Sequence, residues 1–306
     1  MRYVQVMAVY IGIVLFLLLV SKLGPSVSLP AFQTGDNLLE EIKNKAEKYE
    51  EPAQDAYIDR VWKKTPGRNG LQVQVHASYR AMKKKGKFDP KLLQFKEIPP
   101  KKSLQDLPPA PIYRGHPEKN MVAFLINVSW GTEYIPTILK TLKTHDIKAT
   151  FFIEGKWAKE NKEVVQMIYE QGHLIGNHAY NHPDMATLSE ADIQRQIDDT
   201  NAIIEAIIKE RPRYFAPPSG SYTDKVVEYA HDADMETILW TVDTIDWKNP
   251  SVSVMINRVM SKLHPGAMIL MHPTSSVAQG LDSLIKQIKE EGYRIDTVDR
   301  LLDEAR

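Results

Sequence analysis

Two histidines, His178 and His182, lie four residues apart in the sequence. At that spacing both imidazoles can face one metal ion, because neutral imidazole is a common ligand for zinc and similar ions. A catalytic zinc site usually has three protein ligands and one open position for water, so the pair is one ligand short. The pair therefore indicates metal-assisted hydrolysis if a third ligand lies nearby, and two ordinary side chains otherwise.

A second group of residues with acid–base potential lies further along the chain. His272 ends an apolar run at residues 268–271, where a histidine can serve as a general acid. Asp243 and Asp246 follow another short apolar run, and a buried carboxylate there can fix the tautomer of a histidine. The alternatives are a histidine that only caps a sheet and aspartates that bond turn amides.

The composition narrows the chemistry. The 306 residues suffice for one large domain and a smaller one, and they include no cysteine. Disulfides, cysteine-ligated zinc and a thiol nucleophile are therefore excluded, and nitrogen and oxygen ligands must hold any metal. The 39 basic and 39 acidic residues give zero formal net charge. No net field favours nucleic acid, which we do not expect as a partner.

The N-terminal segment is typical of an exported protein. Arg2 precedes a mostly apolar stretch at residues 4–20. Its length predicts that residues 1–28 form a cleaved signal peptide or a membrane anchor, and a buried core helix is the alternative. We therefore expect the protein to work in the cell envelope, either secreted or attached to the membrane through this segment.

The rest of the chain shows two regions and a connection. Residues 29–97 predict a small α/β accessory domain, with a helix at 36–50, β-like runs at 57–62 and 71–76, and a basic helix at 78–85. Six prolines crowd residues 98–117 and predict a semi-rigid linker. The accessory region contains no constellation of residues that would support a chemical role.

Residues 118–306 predict an α/β domain, because apolar strand-like runs alternate with helical patterns. The strands are predicted at 122–128, 149–153, 173–176, 214–215, 236–240 and 267–271. The helices are predicted at 134–145, 157–170, 189–210 with Ser189 as N-cap, 224–230, 251–263 and 280–290. This alternation favours a parallel sheet or barrel, in which catalytic residues collect at the carboxyl ends of the strands. The histidines and aspartates named above all follow such runs.

The order of these motifs resembles that of the NodB-homology polysaccharide deacetylases, carbohydrate esterase family 4. The chain has matching text at all five motif positions of that family, including His178–His182, Asp246-Trp247 and Leu270-Met271-His272. The resemblance implies a distorted (β/α) barrel. It also implies a divalent metal, usually zinc, that helps remove acetyl groups from N-acetylated glycans such as peptidoglycan. The overall arrangement is most similar to the membrane-associated, sporulation-associated deacetylase-like proteins of bacilli.

The resemblance also assigns roles to individual residues. His178 and His182 match the two metal-binding histidines, and His272 matches the general acid, with Asp246 as its carboxylate partner. Substrate contacts are implied for three further residues: Trp247, Pro218 and Leu270. The implied partner is therefore a cell-wall polysaccharide.

Four positions depart from the family pattern. Ser129 stands where the family has its general base, and Trp130 stands where it has the aspartate that is the third metal ligand. Ala216 replaces the arginine that pairs with the base, and Ser219 replaces a tyrosine. A serine hydroxyl has no accessible pKa near neutrality, and an indole N–H only donates. The sequence thus predicts a metal-dependent N-deacetylase with a degenerate site.

Two functions remain open at this point. The chain is either an impaired or rearranged glycan N-deacetylase, or a catalytically inactive protein that binds or scaffolds envelope glycan. A rearranged site would need another oxygen ligand, for which Glu133 and Asp184 are the nearest carboxylates in sequence. Both are otherwise ordinary loop residues.

Overall fold

The computed structural model describes residues 34–306, and the predicted export segment lies outside them. Within this part of the chain, no helix is both long and apolar enough to cross a membrane. The chain divides into two compact units. The first combines the described part of Met1–Tyr49 with Val73–Phe95, and the second combines Glu50–Gln72 with Lys96–Arg306.

This division differs from the predicted boundaries at 29–97 and 98–117. Residues 50–72 belong to the second unit, where the Lys64 ammonium pairs with Glu236 at 2.6 Å. The proline-rich segment is also integrated into that unit, since Ile112 is fully buried and pairs in parallel with Ile238. Proline count alone therefore did not distinguish a spacer from a segment that completes a core.

The first unit is built on two helices. Helix α1 (Thr34–Ala46) packs against α2 (Val75–Met82), and 3-10 turns follow at Glu47–Tyr49 and Pro90–Leu92. Leu38 and Ile42 lie four residues apart on one face of α1, so both are buried in the same small core. The remaining fully buried members of that core are Val73, Met82 and Leu93.

Two small two-stranded sheets come before the main sheet in the sequence. Strand β1 (Tyr57–Asp59) pairs antiparallel with β2 (Lys63–Thr65). Strands β3 (Gly70–Val73) and β4 (Phe95–Ile98) form a second two-stranded sheet.

The second unit contains a curled sheet of eight parallel strands, which confirms the predicted α/β barrel class. The strands are β5 (Met121–Val128), β6 (Thr150–Ile153), β7 (Leu174–Asn177), β8 (Tyr214–Phe215), β9 (Glu236–Thr237), β10 (Val242–Asp243), β11 (Met268–Met271) and β12 (Arg294–Asp296). Their order in the sheet is β10-β11-β5-β6-β7-β8-β9, and β12 also pairs with β5. All of these pairings are parallel, as expected where helices connect successive strands.

Helices cover the outer face of this sheet. They are α3 (Ile135–Thr144), α4 (Gly155–Glu160), α5 (Lys162–Glu170), α6 (Glu190–Ile208), α7 (Asp224–Asp232), α8 (Val252–Met260), α9 (Ser275–Glu290) and α10 (Val298–Leu302). The predicted N-cap is confirmed, because the Ser189 side chain accepts a hydrogen bond from the Asp192 amide. The predicted helix at 157–170 is two helices that meet at Asn161, whose φ of −127° is not helical.

Side-chain alternation along β5 sets up the site. Val122, Phe124 and Ile126 face the helices in one core cluster, while Ala123 and Leu125 belong to the cluster inside the barrel. A period of two continues this pattern to polar residues at the carboxyl end of the strand. The barrel interior is therefore apolar along most of β5 and polar at the carboxyl end of that strand.

Candidate functional site

A cavity of about 350 Å³ opens at the carboxyl ends of the barrel strands. This is the end at which parallel β/α folds place catalytic residues. Its walls bring together residues from five separate stretches of sequence: Asn127, Ser129, Trp130, His178, His182, Ser219, Trp240, Asp243, Trp247, Leu270 and His272. Of the residues predicted to contact substrate, Trp247 and Leu270 lie in this wall. Pro218 is buried and is not part of the wall.

His178 and His182 converge on this cavity, as their spacing predicts. The two rings meet edge to face with centroids 5.2 Å apart. His178 is buried, and its Nδ1–H donates to the Ala216 carbonyl at 2.7 Å, which leaves Nε2 as the lone-pair nitrogen. Burial lowers the pKa of His178 to about 3 and also lowers the pKa of His182. Both imidazoles are therefore neutral at physiological pH, as a metal ligand must be.

Hydrogen bonds through Asn177 connect the loop that carries the histidines to helix α6. Asn177 accepts a hydrogen bond from the Ala179 amide at 2.8 Å and donates to Asn201 at 2.8 Å. The loop is sharply turned, because Ala179 and His182 have positive φ values of 60° and 57°. Asn177 is thus a positioning residue for the pair, and it was not identified from the sequence.

Asp246 and His272 form the predicted carboxylate–histidine pair. The Asp246 carboxylate is fully buried and accepts from His272 Nδ1–H at 2.8 Å and from the His272 backbone amide at 2.6 Å. These two bonds fix the ring and leave its Nε2 free to exchange a proton with a ligand. The indole of Trp130 stacks on the imidazole, with centroids 6.1 Å apart and planes 9° from parallel.

The residues present do not fit a catalytic zinc ion. Within the described residues, no three histidine, cysteine, aspartate or glutamate side chains lie close enough together to hold a metal. Ser129 and Trp130, which line the same cavity, carry no carboxylate. Two imidazoles are one ligand short of the usual set of three.

The two carboxylates nearest in sequence do not repair the set. Asp184 caps the 3-10 turn Met185–Thr187 and accepts hydrogen bonds from the Ala186 amide and the Ser221 hydroxyl. Glu133 is exposed on the turn Thr132–Tyr134. Neither belongs to the cavity wall, so the predicted substitutes are not brought to the histidines.

Glu154 is the carboxylate that the sequence did not reveal. It follows strand β6 and is 8 % exposed. Burial raises its pKa, which the neighbouring Ser129 side chain partly offsets. Among the described residues the His272 ring is hydrogen-bonded to Asp246 and not to Ser129, so Ser129, His272 and Asp246 do not form a Ser–His–Asp triad.

The remaining wall is mostly aromatic, and it includes the carboxylate of Asp243, which accepts a hydrogen bond from the Ile245 amide at 2.7 Å. Trp130 and Trp247 are 46 % and 51 % exposed, and Trp240 is partly buried beside them. The Lys248 ammonium lies 4.9 Å from the centroid of the Trp247 ring. Deeper in the cavity, the Asn127 side-chain oxygen is buried and has no hydrogen-bond partner among the described residues. Flat exposed indoles beside polar groups suit the alternating apolar faces and hydroxyls of a sugar.

Comparison with known proteins supports one family. The polysaccharide deacetylase family model matches residues 114–238. The uncharacterized protein YlxY of Bacillus subtilis is 51% identical over 271 residues, which are 89% of this chain and 85% of that protein. A peptidoglycan-N-acetylglucosamine deacetylase of Bacillus cereus is 34% identical over 191 residues, covering 61% of this chain and 70% of that enzyme.

A solved structure from the same family is also close. The crystal structure of BA3943, described as a CE4 family pseudoenzyme from Bacillus anthracis, superposes with a TM-score of 0.84 at 55% identity. The match covers 88% of this chain and 96% of that one. A BA3943 mutant with restored enzymatic activity superposes with a TM-score of 0.85.

Proposed function

Since the chain belongs to the polysaccharide deacetylase family, we propose that it is a catalytically impaired member that binds the N-acetylated glycan of peptidoglycan. One observation carries this proposal. The cavity keeps its aromatic wall and its oriented histidine, yet its described residues supply neither a third metal ligand nor a free base beside the histidines. Binding surfaces are thus retained where the catalytic groups are replaced.

Loss of hydrolysis follows from the groups at positions 129 and 130. Metal-dependent deacetylation needs a metal to activate water and a base to accept its proton. Ser129 has a hydroxyl in place of a carboxylate, and this hydroxyl is neutral near pH 7. Trp130 has no atom that can coordinate a cation. We therefore expect no zinc-dependent turnover at rates typical of the family.

Glycan binding is supported by the shape and chemistry of the cavity. Its volume of about 350 Å³ lies within the range of ligand pockets, and two exposed indoles flank it. Neutral imidazoles at His178 and His182 offer hydrogen bonds without repelling an uncharged sugar. Several relatives are named for deacetylation of peptidoglycan N-acetylglucosamine, which suggests the same polymer as the ligand here.

Slow hydrolysis is the second candidate, because the acid pair is intact. His272 retains both hydrogen bonds to Asp246, so it can still protonate a leaving amine. If His272→Ala left acetate release from every tested glycan unchanged, this second function would be ruled out.

A ligand outside the cytoplasmic membrane also requires export. We propose that residues 1–28 direct it, on the basis of the apolar stretch at residues 4–20. Protease protection of the chain in intact cells would test this placement.

The direct test is a calorimetric titration of the purified chain with chitotetraose, an oligomer of N-acetylglucosamine. Elemental analysis and an acetate-release assay on the same preparation complete it. We expect saturable binding, less than one equivalent of zinc per chain and no acetate above a heat-inactivated control. Substantial acetate release by zinc-supplemented protein would overturn the proposal, and so would the absence of binding to both chitotetraose and peptidoglycan fragments.

A further inference from the structure

The first unit carries a concentrated positive surface that the proposed glycan site does not use. Residues 73–95 contain six basic side chains and one acidic one, Asp89, so this stretch has a net charge of +5 in a chain whose total is zero. The six side chains are all exposed, and together we call them the basic surface: Arg80, Lys83, Lys84, Lys85, Lys87 and Lys91.

Most of these charges have no internal counter-ion. Lys85 pairs with Asp89, and the other five cations form no ion pair with any described residue. Like charges held close together repel, and water and salt only partly screen this repulsion. Because the whole chain is neutral, the charge is segregated and does not simply provide a high net charge for solubility.

The arrangement suits an extended ligand. Arg80 lies in the last turn of α2, Lys83–Lys87 follow in the connecting turn, and Lys91 lies in the 3-10 turn that packs on α2. The cations are therefore spread along a continuous stretch of surface and do not converge on one point. A ligand with repeated negative charges can meet several of them at once, whereas a single small anion meets only one or two.

Most large apolar side chains of the same unit face inward, and Phe95, which is 39 % exposed, is an exception. Met82 and Leu93 are buried in its core, and Tyr79 packs against them. The Phe88 ring is held 5.9 Å from the Tyr49 ring, with the Lys45 ammonium 4.5 Å above it. In the described part of this unit, one exposed ring at Phe95 does not make the continuous apolar face with which interfacial segments enter a lipid surface. Its chemistry favours a hydrophilic polyanion.

We propose that the basic surface is a binding site for a hydrophilic polymer with phosphodiester groups along its chain. Five of the six cations are lysines, whose ammonium groups act as point charges and bind phosphate oxygens without a fixed orientation. This suits a flexible polymer that carries one charge on each repeat. The first unit then contacts an anionic polymer while the cavity of the second unit serves a neutral glycan.

The experiment titrates the full chain, in nonionic detergent, with poly(glycerol phosphate) at salt concentrations from about 50 to 200 mM. Five phosphate contacts predict a slope of log affinity against log salt of about −3.5, hence a loss of about 100-fold over this range. A variant with Lys83, Lys84, Lys87 and Lys91 each changed to glutamine keeps one unpaired cation. We expect its slope to fall to about −0.7.

A charge-matched control changes four exposed lysines of the second unit, Lys140, Lys143, Lys159 and Lys162, to glutamine. It removes the same net charge and should leave the slope at about −3.5. Equal weakening in both variants would show an effect of net charge alone and overturn the proposal. Two other results would also overturn it: the absence of polymer binding by the unmodified chain, or a quadruple variant that loses binding only to vesicles of anionic phospholipid. Unchanged circular dichroism melts would show that the variants fold.

Discussion

The two sides of the cavity differ in the chemical groups that their side chains present. On the acid side, Asp246 accepts two hydrogen bonds from His272, and Trp247 stands beside them. On the opposite side, called the base side because the resemblance places the family's general base at position 129, Ser129 and Trp130 carry no carboxylate, and the Trp130 ring stacks on His272. The first arrangement still orients a proton donor, whereas the second has neither a free base nor a cation ligand.

The difference follows from what each side chain does for the fold. Asp246 is fully buried, and one of its oxygens holds the backbone amide of His272, so removing it leaves a buried donor unpaired. Ser129 and Trp130 follow the end of a strand, where an uncharged side chain leaves no buried backbone donor unpaired. In this cavity, Asp246 therefore has a structural role through the His272 amide in addition to orienting the ring.

The histidine pair shows the same principle. His178 is oriented by the carbonyl of Ala216, a backbone group that does not depend on the side chain at that position. The imidazole therefore keeps this orientation with alanine at position 216. The pair has remained in place although the described residues provide no complete metal site.

The largest predicted effect restores the base side. Changing Ser129→Asp and Trp130→Asp together supplies a base and a third ligand beside two oriented, neutral imidazoles. We expect one zinc ion per chain, and acetate release from N-acetylglucosamine oligomers raised by at least about 100-fold, since a positioned base alone contributes about 10²–10⁴. Elemental analysis and an acetate assay measure both.

Three controls separate the two aspartates. Trp130→Asp alone should hold zinc but release little acetate, and Ser129→Asp alone should do neither. Adding His178→Ala to the double variant should remove the metal. A folded double variant that binds no zinc would contradict the view that only these two side chains separate the cavity from a metal site.

The acid side should be the one that stabilises the fold. Asp246→Ala removes two hydrogen bonds to a buried carboxylate, and we expect the free energy of unfolding to fall by about 3 kcal/mol. Trp130→Ala, at a side chain 46 % exposed, should cost less than about 1 kcal/mol. Urea denaturation of both variants measures the difference. Equal losses would show that stability does not explain which side was kept.

Much of the site could be predicted because its motifs are local. His178 and His182 lie in one loop, and Asp246 with Trp247 lies in another. Each loop follows an apolar strand, so the sequence predicted that they meet at one end of a barrel. The proximity of Glu154 to Ser129 could not be predicted, because these residues follow two different strands and their approach depends on the strand register.

The fold shows a similar limit. The eight-residue apolar run of β5 was recognisable, whereas two-residue strands such as β10 carry no periodic pattern. Helix α9 begins at Ser275, five residues before the predicted start at Gly280. That glycine lies where helices pack closely, since an added Cβ would come within 2.9 Å of Val252. The sequence suggested a helix start where the structure requires a small residue in a helix.

A smaller effect concerns pH. Burial lowers the pKa of His178 to about 3, whereas the unfolded chain titrates near the ordinary value of 6.5. Below pH 6.5 the unfolded state therefore binds a proton that the folded state does not, so stability is full above 6.5 and falls as the pH approaches 3. At pH 5 the loss from this residue is about 2 kcal/mol.

Denaturant unfolding at pH 7.5 and 5.0 tests this effect, with His178→Gln as the variant. The unmodified chain should lose about 2 kcal/mol more than the variant on acidification. His173→Gln is the matched comparison. Burial lowers the pKa of His173 to about 4, and this residue directly precedes the strand that His178 directly follows. Identical pH dependence of the unmodified chain and His178→Gln would mean that the histidine is solvated in the folded protein.

The smallest predicted effect compares the tryptophans on the two sides. Trp247 is 51 % exposed, and the Lys248 ammonium lies over one face of its ring. The other face is available to a sugar, so Trp247→Ala should weaken chitotetraose binding about ten-fold. One face of Trp130 is already stacked on His272, so Trp130→Ala should weaken binding only about three-fold. Tyr57→Ala, at a residue 40 % exposed outside the cavity wall, is the control for general loss of aromatic surface. Calorimetric titration measures all three variants. A larger loss for Trp130 than for Trp247 would reverse the comparison, because the glycan would then lie on the side that has lost its catalytic groups.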